Sequence, residues 1–498
     1  MPLPALVEKA TSNKRLVLYV LIPLLSVLMH FNIFTRDLVG VHVWRQTQTQ
    51  TNIENFAKED FNILNPRVNN LGRNDVFRME FPIMQWLYAC FYKIFGDHII
   101  ISRILSFITG LFCVWGIYRL LFSVFNRESI ALIGAWCFNF SPLFFYYTMN
   151  PLPDNFAMCA AIWGMAFFFG WTRTQKTSHL ILSAALIGIS VLAKLPFIIC
   201  LGGIGAYVIW GLLKKTINIK TALLVATVFI ISLIPAAVWY LSVIGTWQGN
   251  RITTGVLSAK KGDLSTFFDI MQFHLISTMP ELMVNYGALL FFLAGWFMLF
   301  KNKAFKNSLF PALAFWGICT ILYFFFEINM IAKTHDYYLF PFMPLLFLLV
   351  AYGAEQLLLL KNKGLKIFFS FALCILPVTA FLRAHHRWNL EDPGFNVDLY
   401  TYKAELRHAV PDTSLCVVGN DISGYIFLYY LDKKGWNFNN DTLNGNNLSI
   451  LINKGARYLY SDSRKVDEDA GVKNLLDKKL MQKGSIAVYS LKAKSVIH

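Results

Sequence analysis

Polar and aromatic side chains that could do chemistry are concentrated in a few segments of an otherwise apolar chain. The first segment spans residues 35–98, and its chemically capable side chains are His42, Trp44, Arg45, Gln46, Arg78 and Glu80. Aromatic rings stack on the faces of sugars, while arginine, amide and carboxylate groups hydrogen-bond to hydroxyls. Structured loops of this length are uncommon unless they are functional. The mixture suits a carbohydrate site, and simple packing between hydrophobic anchors explains the same composition equally well.

A single acid stands at the start of a later apolar run, in the sequence MNPLPDNF at Met149–Phe156. Asp154 is predicted to lie at the end of a membrane helix, where a charge is costly unless it is partnered or functional. The structural alternative is that Asp154 caps the N-terminus of that helix.

Cations that could bind a phosphate stand in two further segments. AKTHDYYLFPFMP at Ala332–Pro344 contains Lys333, His335, Asp336, Tyr337 and Tyr338, and LAKLPF contains Lys194. Lysine and histidine can neutralise a phosphate, although paired tyrosines are also typical of the aromatic belt at a membrane interface. For Lys194 the alternative is a lone lysine whose charged end snorkels to water.

The elements that must position these residues are membrane helices. Hydrophobic residues make up 56% of the 498 residues and charged residues 15%, whereas soluble domains carry about 25% charged residues. This composition excludes a purely cytosolic enzyme. About 20 apolar residues span a bilayer, and eleven runs are predicted to do so: Leu16–Phe34, Ile99–Phe122, Ser129–Tyr147, Asn155–Trp171, Leu180–Ala193, Leu195–Leu213, Thr221–Ile244, Leu282–Phe300, Ser308–Phe326, Tyr338–Leu360 and Ile367–Leu382.

The formal charge of +16 is explained by the loops between these runs. Fifteen lysines and arginines fall in alternate loops that hold few acids, and cytoplasmic loops are enriched in Lys and Arg. The N-terminus is therefore predicted to be cytoplasmic and the C-terminus to lie outside, on the same face as the chemically capable segments. The charge needs no nucleic acid to explain it, and no nucleic-acid partner is predicted.

The composition changes to that of a soluble domain from Arg383 onward. Alternating strands and helices are predicted there: Ser414–Gly419 and Arg457–Ser461 as strands, Gly424–Leu431 as a helix and Ser463–Lys483 as a solvated helix face. The predicted fold class is a mainly α, polytopic membrane protein with about 11 transmembrane helices and a small C-terminal α/β soluble domain. The predicted domains are residues 1–382, including the outer loop 35–98, and residues 383–498.

In order and spacing, these segments resemble the GT-C superfamily of membrane glycosyltransferases. The resemblance is to the branch of protein O-mannosyltransferases and lipid A aminoarabinose transferases (glycosyltransferase family 39-like), and it covers Leu16–Pro344. The segments that carry it are EFPIMQWLYACFYKIFG at Glu80–Gly96, Asp154, Ala193–Leu195 and HDYYLFPFMP at His335–Pro344. The family usually opens its first loop with an Asp-Glu pair, which here is Trp44–Arg45. The chain instead resembles a bacterial subgroup with an H-x-WRQ opening.

The resemblance implies an inverting transfer of a sugar from a polyprenyl-phosphate donor to a hydroxyl of a glycolipid, polysaccharide or protein. The implied location is the outer face of the bacterial inner membrane, with the C-terminal domain periplasmic. The implied catalytic residues are Glu80, Asp154 and His42, with Glu80 or His42 as the base. The implied donor-phosphate ligands are Lys194, Lys333, His335 and Arg78, and the implied sugar or acceptor contacts are Trp44, Arg45, Gln46, Tyr337 and Tyr338.

A divalent cation, with Asp154 as a candidate ligand, is the one cofactor that the family suggests. The carboxylate-poor first loop weakens that expectation, because the usual Asp-Glu pair is missing.

A transporter or lipid flippase is the alternative from another functional class. Transporters commonly contain internal repeats and ionisable residues near the bilayer midplane. This sequence shows no internal repeat, and its ionisable residues cluster at one membrane face, which favours an interfacial enzyme. A scaffold whose C-terminal domain binds partners is the third interpretation, and the polar segments of the outer face disfavour it.

Overall fold

The computed structural model describes residues 16–73, 76–246, 264–302 and 309–492. The helices in these ranges are α1 (Val17–Ile33), α2 (Val43–Lys58), α3 (Ile83–Phe95), α4 (Ile99–Phe125), α5 (Glu128–Asn139), α6 (Pro142–Tyr147), α7 (Pro153–Thr174), α8 (Thr177–Ala193), α9 (Leu195–Leu213), α10 (Ile219–Thr246), α11 (Ser265–Met283), α12 (Tyr286–Lys301), α13 (Phe310–Phe326), α14 (Ile328–Ile331), α15 (Asp336–Leu358), α16 (Lys363–His386), α17 (Val397–Thr401), α18 (Lys403–His408), α19 (Ile426–Leu431), α20 (Gly445–Asn453), α21 (Lys465–Glu468) and α22 (Ala470–Leu475). The strands are β1 (Leu415–Gly419), β2 (Lys434–Asn437), β3 (Tyr458–Ser461), β4 (Leu476–Lys483) and β5 (Ile486–Leu491).

Six helices in the part of the chain that is described are long and apolar enough to cross a bilayer: α4, α7, α9, α10, α15 and α16. The number rises to 7 if the bent pair of α11 and α12 is one span, and α1, α8 and α13 are shorter apolar helices. The chain is therefore a multi-pass membrane protein. The predicted number of eleven spans is not confirmed.

The apolar run Ser129–Tyr147 was predicted to be one membrane-spanning helix, and this prediction is wrong because the run forms two helices. Helix α5 ends at Asn139 and α6 begins at Pro142. Ser141 caps α6, since its side-chain oxygen accepts a hydrogen bond from the Phe144 amide. Proline at the first helical position after such a cap favours a new start over continuation of the preceding helix.

The run predicted at Leu282–Phe300 is also interrupted, between α11 and α12, which meet at 112°. Asn285 lies at the break with a φ of 74°, a conformation that asparagine adopts more readily than most residues. Its side-chain amide donates to the Phe140 carbonyl oxygen at 3.0 Å and to Thr379 Oγ1 at 2.9 Å. The bend is therefore fixed by hydrogen bonds to the end of α5 and to α16.

The first compact unit comprises the described residues of 1–35, 79–84 and 103–386. Within it α7 packs on α8, α8 on α10, α9 on α13, and α12 on α15. The backbones of α12 and α15 touch at Gly353, where an added Cβ would lie 1.9 Å from the Phe291 carbonyl oxygen. Small residues at such crossings allow membrane helices to approach closely.

The second compact unit comprises the described residues of 36–78, 85–102 and 387–498. Its five-stranded sheet has the order β2-β1-β3-β5-β4, with β1 parallel to β2 and β3, and β5 antiparallel to β3 and β4. Because side chains alternate along a strand, Val418 packs in one core with Leu38 and Val43, and Val417 packs in another with Leu448 of α20. The predicted small α/β fold is confirmed.

Three of the predicted C-terminal elements are confirmed as β1, β3 and α19, with starts one or two residues later than predicted. The prediction for Ser463–Lys483 is wrong in its second half. Two short helices, α21 and α22, are followed by strand β4, which lies at the edge of the sheet. Lysine-rich edge strands are common because the charges discourage pairing with other chains, so the same composition fits a strand.

Asp37 joins the first segment of this unit to its C-terminal part. Its carboxylate accepts from Lys403 Nζ at 2.7 Å and from the Tyr429 hydroxyl at 2.8 Å. Burial acts to raise the pKa of Asp37, but the Lys403 ammonium and these hydrogen bonds outweigh burial and lower the pKa from its ordinary value.

Candidate active site

Glu80 lies on a short non-helical segment that is fixed to helix α10. The carbonyl oxygen of Met79 accepts a hydrogen bond from Trp239 Nε1 at 3.0 Å. The ring of Phe81 meets the Trp239 ring edge-on, with centroids 5.0 Å apart. The residues on both sides of Glu80 are therefore anchored to one tryptophan, which places the half-buried Glu80 beside α10.

Asp154 is the second residue of α7, which begins at Pro153. The N-cap residue is Leu152, which makes no side-chain capping bond, so the N-cap position itself is not occupied by Asp154. The carboxylate is buried, with 3% of the residue exposed. The positive end of the helix dipole stabilises a carboxylate in the first turn.

Lys194 lies at the junction of α8 and α9, where its extended backbone separates the two helices and Pro196 is the second residue of α9. Its Nζ is 3.4 Å from Asp154 Oδ1 and 5.4 Å from the centre of the Tyr338 ring. Only 8% of Lys194 is exposed. A buried charge is costly alone and is tolerated when paired, so the ammonium and the carboxylate stabilise each other.

Tyr240 of α10 brings Glu80 and Asp154 into one neighbourhood. Its hydroxyl donates to the Leu192 carbonyl oxygen at 3.2 Å, next to the turn that carries Lys194. Both carboxylates interact electrostatically with this hydroxyl. The first unit therefore gathers two acids, one buried lysine and a phenol where α7, α8 and α10 meet.

Glu327 is a second carboxylate within the electric field of Lys194, and it is not among the site residues predicted from the sequence. It follows the last residue of α13 and is half-buried. Burial raises the pKa of Glu327 above its ordinary value, and the Lys194 charge opposes the rise only in part. The available signal was an acid directly after the apolar run Ser308–Phe326.

The segment around Asp336 is tied to α6 and contains the predicted histidine and tyrosines. Tyr147 donates its hydroxyl proton to Asp336 Oδ1 at 2.6 Å, and the Tyr323 hydroxyl donates to the Tyr338 carbonyl oxygen at 2.9 Å. His335 lies edge-on to the rings of Tyr337 and Tyr338, at 5.9 and 6.0 Å. Its Nδ1 is 2.5 Å from the Met330 carbonyl oxygen.

Lys333 makes a different ion pair from that of Lys194. Its Nζ is 2.5 Å from Asp269 Oδ2 and 5.7 Å from the Phe273 ring centre. The side chains of Lys333 and Asp269 are 43% and 61% exposed. The two lysines that were predicted to hold phosphate therefore differ in burial and in partner.

Arg103 positions the loop that leads into α7, and it was also missed in the sequence analysis. The side chain is fully buried, and its guanidinium donates to the Met149 carbonyl oxygen at 2.7 Å and to Asn150 Oδ1 at 2.5 Å. Asn155 Nδ2 donates to the Tyr147 carbonyl oxygen at 2.5 Å. An arginine inside the apolar run Ile99–Phe122 was the signal that could have identified it.

The remaining candidates belong to the second unit: His42, Trp44, Arg45, Gln46 and Arg78. His42 precedes α2 with a φ of 57°, and Trp44 packs against the core that contains Leu38. Arg45 and Gln46 are buried, the first bonded to Gln48 and the second to the Val41 carbonyl oxygen. The exposed Arg78 donates to the Leu64 carbonyl oxygen at 2.9 Å.

The carboxylate of Asp154 pairs with the Lys194 ammonium. Mg²⁺ is usually held by one or two carboxylates together with substrate phosphates, so a divalent cation with Asp154 as a ligand stays a prediction. Over the described ranges of the chain, no group of three or more His, Cys, Asp or Glu side chains could hold a metal ion.

Comparison with known proteins agrees with the arrangement. The family model for dolichyl-phosphate-mannose-protein mannosyltransferase matches residues 80–239, a range that begins at Glu80 and includes Asp154, Lys194 and Trp239. A comparison with curated proteins finds no match.

Several solved structures share the fold. ArnT from Cupriavidus metallidurans in the apo state has a TM-score of 0.65 at 11% identity, over 95% of this chain and 97% of that chain. Its complex with undecaprenyl phosphate has a TM-score of 0.64 at 11% identity, over 95% and 98%. The apo oligosaccharyltransferase of Archaeoglobus fulgidus has a TM-score of 0.60 at 14% identity, over 97% and 75%.

These comparisons confirm the resemblance to membrane glycosyltransferases, whereas the H-x-WRQ subgroup stays a prediction. The helical first unit, the small C-terminal sheet and the family match agree. The chain has the GT-C fold.

Proposed function

We propose that this chain is a membrane glycosyltransferase. It moves a sugar from a polyprenyl-phosphate donor to a hydroxyl acceptor, with inversion, at the outer face of the membrane. The observation that carries the proposal is the buried pair of Lys194 and Asp154, next to Tyr240 and Glu80, inside the range matched by a mannosyltransferase family.

The relatives support a lipid-phosphate donor. ArnT from Cupriavidus metallidurans has been solved with undecaprenyl phosphate, and the archaeal AglB with an inhibitory peptide and a dolichol-phosphate. These proteins share the fold, which favours a glycosyltransferase over the transporter alternative. The acceptor of the present chain is proposed as a glycolipid, a polysaccharide or a protein, since each offers a hydroxyl.

The transfer requires one bond to form and one to break at the anomeric carbon. The acceptor oxygen attacks that carbon and loses its proton to a base, while the bond to the phosphate oxygen breaks and the lipid phosphate leaves. Glu80 is proposed as the base, because it lies on a fixed segment beside α10. His42 stays the second candidate for this role.

Lys194 is proposed to stabilise the leaving phosphate. A preorganised, buried cation stabilises a developing anion far more than the same cation in water. Asp154 holds Lys194 through their 3.4 Å contact and is proposed to orient the acceptor. No step is assigned to a metal ion.

The proposed location is the bacterial inner membrane, with the N-terminus cytoplasmic and the C-terminal sheet periplasmic. The cationic alternate loops support this orientation.

The test is an assay with the purified full chain and undecaprenyl-phosphate sugars of several types, which follows free undecaprenyl phosphate by mass spectrometry. Glu80→Gln is expected to lower kcat about 100-fold or more, because a positioned base contributes about 10²–10⁴. Asp154→Asn is expected to lower kcat about 100-fold, because misplacing a reacting group by about 1 Å costs about 10². Glu391→Gln, at an exposed acid of the second unit, is the matched control. Near-normal transfer by both site variants would contradict the assignment.

The sugar and acceptor can be named by mass spectrometry of envelope glycolipids and glycoproteins from a deletion strain. We expect one glycan residue to be missing from one acceptor class. An unchanged envelope under conditions in which the gene is expressed would contradict a role in glycosylation.

A further inference from the structure

A cavity lies in the first unit, among the ends of α4 and α7 and the start of α8. Its volume is about 310 Å³, and its lining includes Arg119, Phe122, Trp163, Phe167, Arg173 and His179. The proposed mechanism uses none of these residues.

This cavity lies on the opposite membrane face from the candidate active site. Helix α7 carries Asp154 in its first turn and Arg173 in its last. A helix of 22 residues is about 33 Å long, close to the hydrocarbon thickness of a bilayer. Helix α8 repeats the arrangement, with His179 near its start and Lys194 directly after its end.

The cationic groups of the cavity are not neutralised by protein acids. Arg119 and Arg173 are exposed, and within the described part of the chain neither guanidinium makes an ion pair with a carboxylate. Arg173 donates to the Phe122 carbonyl oxygen at 3.3 Å, which directs it to the cavity. His179 adds a polar group to the lining, with its Nδ1 3.2 Å from Thr174 Oγ1. The cavity therefore favours an anion.

The walls of the cavity are apolar and aromatic. Trp163 donates its indole proton to the Phe112 carbonyl oxygen at 2.9 Å, which fixes the plane of its ring. The Phe167 ring is 5.6 Å from the His179 ring. Gly170 keeps the space open, since an added Cβ would lie 3.3 Å from His179 Nδ1. An apolar wall below a cationic rim matches an amphiphile, because a free phosphate would gain nothing from the wall.

We propose that this cavity binds the phosphate headgroup of an anionic phospholipid in the leaflet opposite the candidate active site. Arg119 and Arg173 bind the phosphate, and Trp163 and Phe167 contact the glycerol and the first acyl carbons. Basic sites between helices at the cytoplasmic face bind lipid headgroups in this way. The cavity of about 310 Å³ accommodates a headgroup, while the acyl chains remain in the bilayer.

The test is native mass spectrometry of the full-length protein with phosphatidylglycerol or phosphatidylcholine. The double variant Arg119→Gln/Arg173→Gln is expected to bind phosphatidylglycerol about thirtyfold more weakly, since a cation near an anionic lipid surface contributes about fivefold. The control Lys215→Gln/Lys220→Gln removes two exposed cations from the loop between α9 and α10 and from the start of α10. We expect this control to bind within about twofold of the unmodified chain.

A third variant and a soluble probe complete the test. Arg119→Lys/Arg173→Lys retains both charges and is expected to keep most of the affinity, because lysine binds phosphate as a point charge. Inorganic phosphate in excess is expected not to displace the lipid. Equal losses in the site and control variants, equal binding of phosphatidylcholine, or displacement by inorganic phosphate would each overturn the proposal.

Discussion

Lys194 interacts with two carboxylates, Asp154 at 3.4 Å and Glu327 through its field. One ammonium cannot fully neutralise two acids and a phosphate at the same time. Binding of a phosphate would therefore compete with these acids for the lysine. The affinity for the donor then depends on whether Glu327 is charged.

Replacing Lys194 by alanine is expected to weaken donor binding more than it slows chemistry. The KM for the polyprenyl-phosphate sugar should rise about tenfold or more, equal to about 1.4 kcal/mol, because the buried cation is lost. Steady-state kinetics with varied donor measures the effect. An unchanged donor KM would mean that Lys194 serves the fold alone.

The same substitution leaves the buried Asp154 without its ammonium, so a folding control is needed. Removing one partner of a buried ion pair costs about 3–5 kcal/mol. The double variant Lys194→Ala/Asp154→Asn removes both charges and should recover most of the lost thermal stability. Its donor affinity should stay low, which separates the effect on folding from the effect on binding.

The raised pKa of Glu327 predicts that the stability of the fold falls as the pH rises above the ordinary pKa of a glutamate. Its folded pKa is raised by burial above the unfolded value, so the native state binds the proton more tightly. Stability from this group is full below the unfolded pKa and is lost as the pH rises towards the folded pKa. Glu327→Gln should therefore flatten the dependence of Tm on pH above about 4.5, the ordinary pKa of a glutamate. A slope equal to that of the unmodified chain would contradict the raised pKa.

The loop between α6 and α7 is held by an arginine from another helix. Arg103 of α4 bonds to the Met149 carbonyl oxygen and to Asn150 Oδ1. The loop is therefore fixed just before the turn that carries Asp154. Arg103 is therefore a positioning residue, which acts on Asp154 through this loop.

Replacing Arg103 by leucine is expected to lower kcat with little change in donor KM. Leaving the two acceptors unsatisfied costs about 1–3 kcal/mol each, and the loop ahead of Asp154 would lose its fixed geometry. Arg103→Lys should restore part of the rate because it keeps one donor. Loss of kcat and donor affinity in equal measure, or no rescue by lysine, would indicate a general packing role.

The sequence predicts elements better than it predicts their breaks and their partners. Apolar runs identify membrane helices because the bilayer demands their length and composition. The bend at Asn285 was hidden inside the run Leu282–Phe300, because it depends on hydrogen bonds to α5 and α16. Likewise, an acid at Asp154 and a cation at Lys194 were both visible, whereas their pairing and the contribution of Glu327 depend on how α7, α8 and α13 pack.

At the scale of the molecule, residues distant in the sequence complete the second unit. Asp37 precedes the membrane helices in the sequence, whereas its hydrogen-bond partners Lys403 and Tyr429 come after them. Leu38 and Val43 are likewise part of the core that contains Tyr430. The first loop and the C-terminal segment are therefore expected to lose structure together.

Asp37→Asn is expected to destabilise the full chain by about 1–3 kcal/mol near pH 6, because Lys403 and Tyr429 lose a charged partner. The folded pKa of Asp37 is lowered, so its contribution is present above its unfolded pKa of about 3.8 and is lost as the pH falls through the folded value. Thermal unfolding at pH 6 and below pH 4 checks this. A difference between variant and unmodified chain that does not shrink at the lower pH would contradict it.

The second unit assembles from three chain segments, and the last begins at Arg387, about 285 residues after the second ends at Ser102. Ribosomes add roughly 5–20 residues each second. The segment that begins at Arg387 is therefore made roughly 15–60 s after the segment that ends at Ser102. During that interval Leu38 and Val43 have no β-sheet to cover them. The first segment of a newly made chain is therefore open to proteases and chaperones until synthesis is nearly finished. A chain that terminates before Arg387 would leave this segment uncovered, and we expect such a chain to be degraded.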